Sequence, residues 1–205
     1  MFITFEGGEG AGKSTQITLA KEYLESLGYK VVVTREPGGG EIAEKIREVL
    51  LHPYESVMDP RTEALLYAAA RIQHVQETIL PALSEGKVVL SDRYYDSSVA
   101  YQAFGRKLGI EYIREINKEA ISLCEPDRTY FLFLSEEESK RRIVKRAALD
   151  RIELESADFH NSVAEGFRYL AGAYPDRILS VDADQSIEMI SSYINADLKK
   201  LMGNL

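Results

Sequence analysis

A segment near the start of the chain has the composition of a phosphate-binding loop. Residues 7–14 match the pattern G-x-x-x-x-G-K-[S/T], and they lie between a short apolar run and a stretch of helical periodicity. Glycines allow backbone N–H groups to turn toward a phosphate, and the start of the following helix adds partial positive charge. We therefore expect this loop to bind ATP. The predicted ATP-binding residues are Gly7, Gly8, Glu9, Gly10, Ala11, Gly12, Lys13, Ser14 and Thr15.

An acid and an arginine follow the third apolar run and predict the metal side of the site. Lys13 is expected to contact the β and γ phosphates, and Ser14 is expected to ligate Mg²⁺. Asp92 and Arg93 come directly after residues 87–91. Asp92 is a predicted ligand of Mg²⁺ or of its waters, and Arg93 is predicted to bind a phosphate through two hydrogen bonds. An isolated pair of this kind is more often a surface ion pair, but its place after a buried strand favours a site.

The second apolar run also ends in polar residues. Residues 34–39 read Thr-Arg-Glu-Pro-Gly-Gly, where the proline and glycines predict a turn. Because the carboxyl ends of parallel strands meet at one edge of a sheet, this turn is expected to present Arg35 and Glu36 beside the phosphate loop.

The phosphate loop is shared by GTPases, motor ATPases and small-molecule kinases, so other segments must decide the class. A GTPase needs an Asn-Lys-x-Asp base reader, and the nearest match, residues 117–120, reads Asn-Lys-Glu-Ala. An ATPase that performs mechanical work usually belongs to a larger or repeated architecture. The arginine-rich helical pattern around Arg141 and Arg142 is a better fit to the lid of a kinase.

Composition limits the partners and the compartment. The 205 residues include 25 Lys plus Arg and 33 Asp plus Glu, which gives a formal net charge of −8. This balance argues against a general electrostatic affinity for nucleic acid or for an anionic membrane. The single cysteine, Cys124, excludes an internal disulfide framework. With no exported leader or membrane span visible in the sequence, we expect a cytoplasmic protein that binds neither nucleic acid nor membrane.

The elements that must position these residues alternate between strand and helix. Short β-branched runs predict five strands, and apolar residues at helical spacing predict helices between them. The predicted strands are residues 1–5, 30–34, 87–91, 129–134 and 177–181. The predicted helices cover residues 17–27, 42–50, 61–85, 97–104, 111–123, 136–147, 156–173 and 187–202. This order indicates one α/β domain over residues 1–205, with a five-stranded parallel sheet, helices on both faces and right-handed crossovers.

Five motifs, in order along the chain, resemble those of bacterial-type thymidylate kinase. The motifs are residues 5–16, residues 34–39, residues 65–74, residues 91–102 and residues 149–153. Among them are Phe-Glu-Gly before the phosphate loop, Ser-Asp-Arg-Tyr after the third strand, and Leu-Asp-Arg-Ile-Glu near residue 150. The resemblance implies the P-loop nucleoside monophosphate kinase fold, phosphorylation of dTMP to dTDP by Mg-ATP in dTTP biosynthesis, and a homodimer.

The same resemblance implies roles for single residues. It implies that Glu9 lies near the deoxyribose 3′-hydroxyl and that Arg35 and Arg93 bind the acceptor phosphate. It implies that Tyr67 stacks on thymine and that Arg71 donates to a thymine carbonyl. The residues expected to bind dTMP are Glu9, Arg35, Glu36, Tyr67, Arg71, Arg93, Ser98, Tyr101 and Gln102. In this set, Ser98 would meet the base edge and Tyr101 would fill the space of a ribose 2′-hydroxyl.

The resemblance also implies a basic lid over about residues 140–152. The phosphate loop has Gly10 where another class of the family carries an arginine, so positive charge must come from the lid. The expected catalytic residues are Lys13, Arg93, Arg142, Arg146 and Arg151. Departures from the family pattern are Tyr67 in place of a usual phenylalanine, Gly40 in place of a frequent threonine, and Val144 in place of a further arginine.

Three other interpretations remain open from the residues alone. The chain could be a kinase for another nucleotide or deoxynucleoside, because such enzymes share the phosphate loop and the Asp-Arg pair. It could be an ATP-binding switch that transfers nothing. A scaffold protein is the third, although it would have no need to bring Lys13, Asp92 and Arg93 together.

Overall fold

The protein is described by a computed structural model that covers residues 1–135, 138, 141 and 150–203. Five parallel strands form one sheet in the order β2-β3-β1-β4-β5. The strands are β1 (Phe2–Gly7), β2 (Val31–Arg35), β3 (Val88–Asp92), β4 (Arg128–Phe133) and β5 (Ile178–Asp182). The prediction of a five-stranded parallel sheet is confirmed, and each strand starts and ends within a few residues of its expected position.

The sheet is apolar on both faces because helices cover it on both sides. Alternate residues of β1 show this: Phe2 packs on one face, whereas Ile3 and Phe5 pack on the other, and all three are buried. Thr4, between them, forms a buried hydrogen bond to Thr129 of β4, with 2.8 Å between the two hydroxyl oxygens. Strands of this kind read as nearly continuous apolar runs in the sequence.

The helices follow the expected order. They are α1 (Lys13–Ser26), α2 (Glu41–Leu51), α3 (Pro60–His74), α4 (Leu80–Ser84), α5 (Tyr95–Ser98), α6 (Ile110–Leu123), α7 (Ala157–Ala173) and α8 (Ile187–Met202). Helices α1 and α8 pack on one face of the sheet, and α6 and α7 contribute to the clusters on the other face. The helix expected over residues 136–147 lies outside the described residues, apart from Glu138 and Arg141.

The helix predicted over residues 61–85 is confirmed, but it is not one uniform α-helix. A π-helical turn, Val75–Ile79, separates α3 from α4. Pro81 explains the interruption, because proline has no N–H to donate and its ring clashes with the carbonyl four residues earlier. The wider turn accommodates it: the N–H of Leu80 donates to the Val75 carbonyl, five residues back. A second π-helical segment, Val99–Gly105, follows α5.

The carboxyl ends of β1, β2 and β3 lie side by side. In the register of the sheet Phe5 pairs with Asp92, and Arg35 pairs with the same Asp92 on the other side of β3. The phosphate loop, the turn after β2 and the acid-arginine pair after β3 therefore meet at one edge, as the sequence predicts. In the described part of the chain, no helix combines the length and the apolar composition needed to cross a bilayer.

Candidate active site

The phosphate loop joins β1 to the first turn of α1. Gly7 has φ 141°, and a Cβ atom added there would lie 2.5 Å from the carbonyl oxygen of Leu132 on β4. Gly12, with φ 87°, is the residue before the helix. Both positions therefore require glycine, the first for lack of space and the second for its left-handed backbone. The loop turns back on itself here, which leaves the N-terminus of α1 facing a cavity.

Lys13 is folded into its own loop. Its ammonium nitrogen donates to the carbonyl oxygens of Gly7, at 3.2 Å, and of Gly8, at 3.0 Å. Burial, and after it the charge of Arg93, lowers the pKa of Lys13 to about 8. The surroundings of Lys13 thus stabilise its charged form poorly. A bound anion would stabilise that charged form.

Ser14 and Asp92 lie together at the edge of the sheet. The hydroxyl of Ser14 donates to the Asp92 carboxylate across 3.3 Å. Mg²⁺ in nucleotide sites is held by one or two protein oxygens, with waters and phosphates completing the shell. A hydroxyl and a carboxylate at this separation, next to the phosphate loop, fit that donor set.

Arg93 spans the space between the phosphate loop and the rest of the cavity. One guanidinium nitrogen donates to Glu9 at 2.6 Å, and the other donates to the Gly7 carbonyl at 3.0 Å and to Ser97 at 3.1 Å. The guanidinium carbon lies 5.1 Å from the centre of the Tyr101 ring. The backbone of Arg93 has φ 72°, a left-handed conformation that costs a non-glycine residue roughly 1–3 kcal/mol.

Arg71 lies in the wall of the cavity. Its side chain is only 1% exposed, and its Nε donates to Glu36 at 2.8 Å. One terminal nitrogen donates to Ser98 at 3.0 Å and to Asn117 at 2.5 Å, and the other donates to the Tyr94 carbonyl at 3.2 Å. The N–H groups of Arg71 are thus engaged by the protein, and a base carbonyl would share or replace one of these partners.

Glu36 forms the centre of a buried network behind Arg71. One carboxylate oxygen accepts from Arg71, and the other lies 3.0 Å from Nδ1 of His74. Nε2 of His74 is in turn 2.7 Å from the Thr34 hydroxyl. Although Glu36 lines the cavity, its carboxylate is therefore directed at Arg71 and His74, which suits it to orient Arg71.

Glu63, Tyr67 and Arg71 face the same way from α3 because they are spaced four residues apart. Burial raises the pKa of Tyr67, so its hydroxyl stays protonated. Glu63 is fully buried and accepts from Gln102 at 2.9 Å and from Arg106 at 3.1 Å. Gln102 thus holds α3 and the second π-helical segment together beneath the cavity.

Arg151 also binds Glu63. One terminal nitrogen of Arg151 donates to the Glu63 carboxylate at 2.7 Å, and Nε donates to the Leu50 carbonyl at 2.8 Å. Its second terminal nitrogen is buried and has no hydrogen-bond partner within the described ranges. The end of the expected lid is therefore attached to α2 and α3. The other lid arginines, Arg142 and Arg146, lie outside the described residues.

Arg35 stands at the outer rim. Its side chain is 54% exposed and pairs with Glu44 of α2 across 3.0 Å. Glu44 also accepts from the Gly39 backbone N–H at 3.1 Å. Of the arginines beside the phosphate loop, Arg35 is thus the more exposed and Arg93 the more enclosed, since the Arg93 side chain is 15% exposed.

These side chains surround one cavity of about 810 Å³. The predicted residues that line it are Glu9, Gly10, Ala11, Gly12, Lys13, Ser14, Thr15, Arg35, Glu36, Tyr67, Arg71, Asp92, Arg93, Ser98, Tyr101 and Gln102. Gly7, Gly8 and Arg151 are not among its lining residues, although Lys13 contacts both glycine carbonyls.

The cavity also has lining residues to which the sequence assigned no role in binding. They are Pro37, Arg47, Leu51, Tyr94, Ser97, Asp150, Ile152 and Glu153. Of these, only Arg47 and Leu51 lie outside the five motifs. Arg47 donates to the Pro37 carbonyl at 2.8 Å, which brings α2 against the turn after β2. For Glu63 a signal was present, namely its four-residue spacing from Tyr67. For Arg47 the sequence offered none, because it is one of five charged residues on α2 and nothing local distinguishes it from the others.

Comparison with known proteins gives one consistent result. A family model described as Thymidylate kinase matches residues 5–194. Thymidylate kinase of Lactobacillus helveticus is 50% identical over 97% of this chain and 95% of the relative. Thymidylate kinase of Exiguobacterium sibiricum is 49% identical over 96% of this chain and 93% of the relative.

Solved structures agree with the sequence comparison. The crystal structure of thymidylate kinase from Ehrlichia chaffeensis superposes with a TM-score of 0.78 at 31% identity. The match covers 97% of this chain and 98% of the other. A shared fold, a shared order of motifs and near-complete coverage lead to one conclusion: this chain belongs to the thymidylate kinase family.

Proposed function

We propose that this chain transfers the γ-phosphoryl group of ATP to dTMP, producing ADP and dTDP. The observation that carries the proposal is one cavity that is lined both by Lys13 and Arg93 and by Tyr67 and Arg71. Family membership supports it, because the relatives carry the name of this activity. An enzyme that transfers a phosphoryl group between two nucleotides needs a phosphate loop and a base pocket that open into the same cavity.

At the donor end, the loop N–H groups and Lys13 bind the phosphates of ATP. The ammonium group leaves its two carbonyl acceptors and turns to the β and γ phosphates, whose negative charge raises its pKa again. Ser14 and Asp92 would hold Mg²⁺, which supplies positive charge to the phosphate oxygens when it is bound. These residues stabilise the charge that spreads over the transferring group.

At the acceptor end, Arg93 and Arg35 bind the phosphate of dTMP. That phosphate is already ionised near neutral pH, so the reaction needs no strong general base, and catalysis reduces to alignment and charge stabilisation. Glu9 is proposed to bind the deoxyribose 3′-hydroxyl, and its ion pair with Arg93 keeps both side chains at the same wall of the cavity.

The base lies between α3 and the segment after β3. Tyr67 stacks on the thymine ring, and Arg71 and Ser98 meet its edge. Ser98 accepts from Arg71, and its hydroxyl can donate onward to the base. Tyr101 fills the space beside the sugar, where Arg93 lies over its ring. Glu36 and Gln102 complete the proposed site by holding Arg71 and Glu63 in place.

Closure of the lid, about residues 140–152, is proposed to exclude water from the transferring phosphoryl group. Arg142, Arg146 and Arg151 would share the charge stabilisation that a single arginine finger provides elsewhere.

We also propose a homodimer in the cytoplasm that acts on these two small molecules and binds no nucleic acid. Exposed apolar side chains on two neighbouring helices, Ile42 and Val49 of α2 and Leu65 of α3, support a subunit interface. The one cysteine, Cys124, is buried and unpaired, which fits a reducing compartment.

The experiment that tests this function is an acceptor panel with Mg-ATP. We expect kcat/KM to be highest for dTMP, lower for dUMP and lowest for dCMP, because cytosine has an amino group where thymine has a carbonyl. The Arg71→Lys variant keeps a cation beside Glu36 but loses the planar donor set. It should lose more activity with dTMP than with dCMP.

Two results would count against the proposal. Equal activity with dTMP and dCMP in the wild type would indicate a kinase for another nucleotide. ATP binding without ADP formation on any monophosphate would indicate a binding switch.

A further inference from the structure

Glu6 is a buried acid that the proposed reaction does not use. It lies near the end of β1, it is 0% exposed, and its two carboxylate oxygens accept separate hydrogen bonds. One oxygen accepts from the backbone N–H of Tyr94 at 2.8 Å, and the other accepts from the Ser97 hydroxyl at 2.5 Å. A buried carboxylate opposes folding unless such partners compensate it, so its contacts indicate what it does.

Both partners of Glu6 are directly connected to Arg93. Tyr94 is the next residue along the chain, and Ser97 accepts a hydrogen bond from the Arg93 guanidinium at 3.1 Å. The Arg93 backbone N–H donates to the Phe5 carbonyl at 3.0 Å, on the strand that carries Glu6. The left-handed backbone of Arg93 is therefore held from both sides by β1.

We propose that Glu6 is a positioning residue: its carboxylate holds Tyr94 and Ser97 so that Arg93 directs its guanidinium into the cavity. The direction of the Ser97 hydroxyl is central. A hydroxyl that donates its hydrogen to ionised Glu6 turns its oxygen lone pairs toward Arg93, which can then donate to them. This inference rests on the proposed function, in which Arg93 binds the acceptor phosphate.

The proton on Glu6 would disrupt this arrangement. A protonated carboxyl can donate to Ser97, which occupies one of the two lone pairs of the hydroxyl and leaves its hydrogen without Glu6 as an acceptor. Burial, and after it the charge of Asp96, raises the pKa of Glu6 to about 7. Arg177 binds Asp96 from the strand edge, with 2.6 and 2.8 Å between the paired atoms. The charged and titratable groups that face Glu6 are Asp96, Arg93, Lys13, Tyr101 and Arg177.

The Glu6→Gln variant tests the proposal. Its amide carbonyl can still accept from Tyr94, but its amide nitrogen donates to Ser97, so the Ser97 hydroxyl loses the acceptor that fixes its direction toward Arg93. We expect kcat/KM for dTMP to fall roughly 10- to 100-fold, as for other residues that orient a catalytic group. The KM for ATP should change by less than about 3-fold, since Lys13 and Ser14 remain in place.

Two further readouts separate positioning from structural support. In the wild type, kcat/KM should rise with pH through an ionisation near 7, and this ionisation should be missing in Glu6→Gln. Ionisation of dTMP itself appears in both profiles and serves as an internal reference.

The folded protein holds the Glu6 proton more tightly than the unfolded chain does, so the ionised acid destabilises the fold once the pH exceeds its unfolded pKa. The Tm of Glu6→Gln at alkaline pH should therefore equal or exceed that of the wild type.

Thr4→Val is the matched control. Thr4 is equally buried, lies two residues earlier on the same face of β1, and hydrogen-bonds only to Thr129 among the contacts described for its hydroxyl. This variant should keep the wild-type pH profile whatever its Tm. Wild-type activity and pH profile in Glu6→Gln would overturn the proposal, and so would an equal loss of activity in Thr4→Val.

A wild-type protein that does not phosphorylate dTMP would contradict the proposed function instead. In that case crystal structures of the wild type and of Glu6→Gln decide the inference. A displaced Arg93 guanidinium would support it, and an unchanged one would overturn it.

Discussion

At the scale of one residue, Lys13 links its own protonation to the ligand that the phosphate loop binds. Its ammonium group is buried and lies against two carbonyl oxygens, and its pKa is lowered to about 8. A triphosphate in the loop would add several negative charges next to this group and raise its pKa again. The protonation state of Lys13 should therefore depend on whether the loop is occupied.

We predict that ATP binding takes up a proton in mildly alkaline solution. Above the pKa of about 8 the free lysine is largely neutral, whereas the bound lysine is charged. Calorimetric titrations in two buffers with different ionisation enthalpies, at about one pH unit above that pKa, measure the uptake directly. Lys13→Met should abolish it. Proton release, or equal uptake in Lys13→Met, would show that the lysine is not the titrating group.

Tyr67 is the second residue whose role can be isolated. Stacking of a base on an aromatic ring contributes roughly 1–3 kcal/mol and accepts any base, so Tyr67→Ala should lower kcat/KM for all acceptors about equally. Tyr67→Phe keeps the ring and should leave kcat/KM nearly unchanged. A selective loss for dTMP in Tyr67→Phe would instead assign base recognition to the hydroxyl.

At the scale of elements, Arg151 links the expected lid to two helices. It donates to Glu63 of α3 and to the last turn of α2, through the Leu50 carbonyl. We predict that Arg151→Ala lowers kcat more than it raises the KM for dTMP, because lid arginines act on the transferring group. The same change should lower the free energy of unfolding by about 1–3 kcal/mol, because Glu63 loses one charged partner.

Arg106→Ala is the control for Arg151→Ala. Arg106 binds the same carboxylate, at 2.9 Å, but it lies outside the expected lid. The two variants should lose similar stability, and only Arg151→Ala should lose kcat. Equal kcat values in both would mean that Arg151 supports the fold and takes no part in catalysis.

The sequence predicted the strands and their direction well because most are short apolar runs, and the central strands β1, β3 and β4 are buried along nearly their whole length. It predicted the phosphate loop and the Asp92–Arg93 pair because glycine spacing and strand ends are local signals. It did not predict the π-helical turn beside Pro81, although the proline is the cause, since helical periodicity continues through it. It also did not assign Arg47, or Glu6, whose partners Tyr94 and Ser97 lie 88 and 91 residues away along the chain.

At the scale of the whole molecule, exposed apolar side chains on α2 and α3 form the candidate subunit interface. We predict a homodimer through α2 and α3, so the mass in solution should be twice the 23.1 kDa of one chain. Leu65 is 51% exposed, and Leu65→Glu should produce a monomer because it adds a charge to an apolar interface. Light scattering after size-exclusion chromatography measures the mass.

Met189→Glu provides the comparison for Leu65→Glu. Met189 is 60% exposed and lies on α8, which packs with α1 on the opposite face of the sheet from α6. The Met189→Glu variant should leave the dimer intact. A monomeric wild type, or a dimer that only Met189→Glu disrupts, would contradict the proposed interface.

Transfer of a phosphoryl group between two nucleotides can be followed directly in solution. Phosphorus NMR of a mixture of ATP, dTMP and Mg²⁺ follows every product at once. We predict that the wild type forms ADP and dTDP in equal amounts with little inorganic phosphate. We also predict that Lys13→Ala, although folded, slows this transfer by roughly 100-fold or more. Formation of ADP with inorganic phosphate in place of dTDP would show that the chain only hydrolyses ATP, and full transfer by Lys13→Ala would show that the phosphate loop is not the site of transfer.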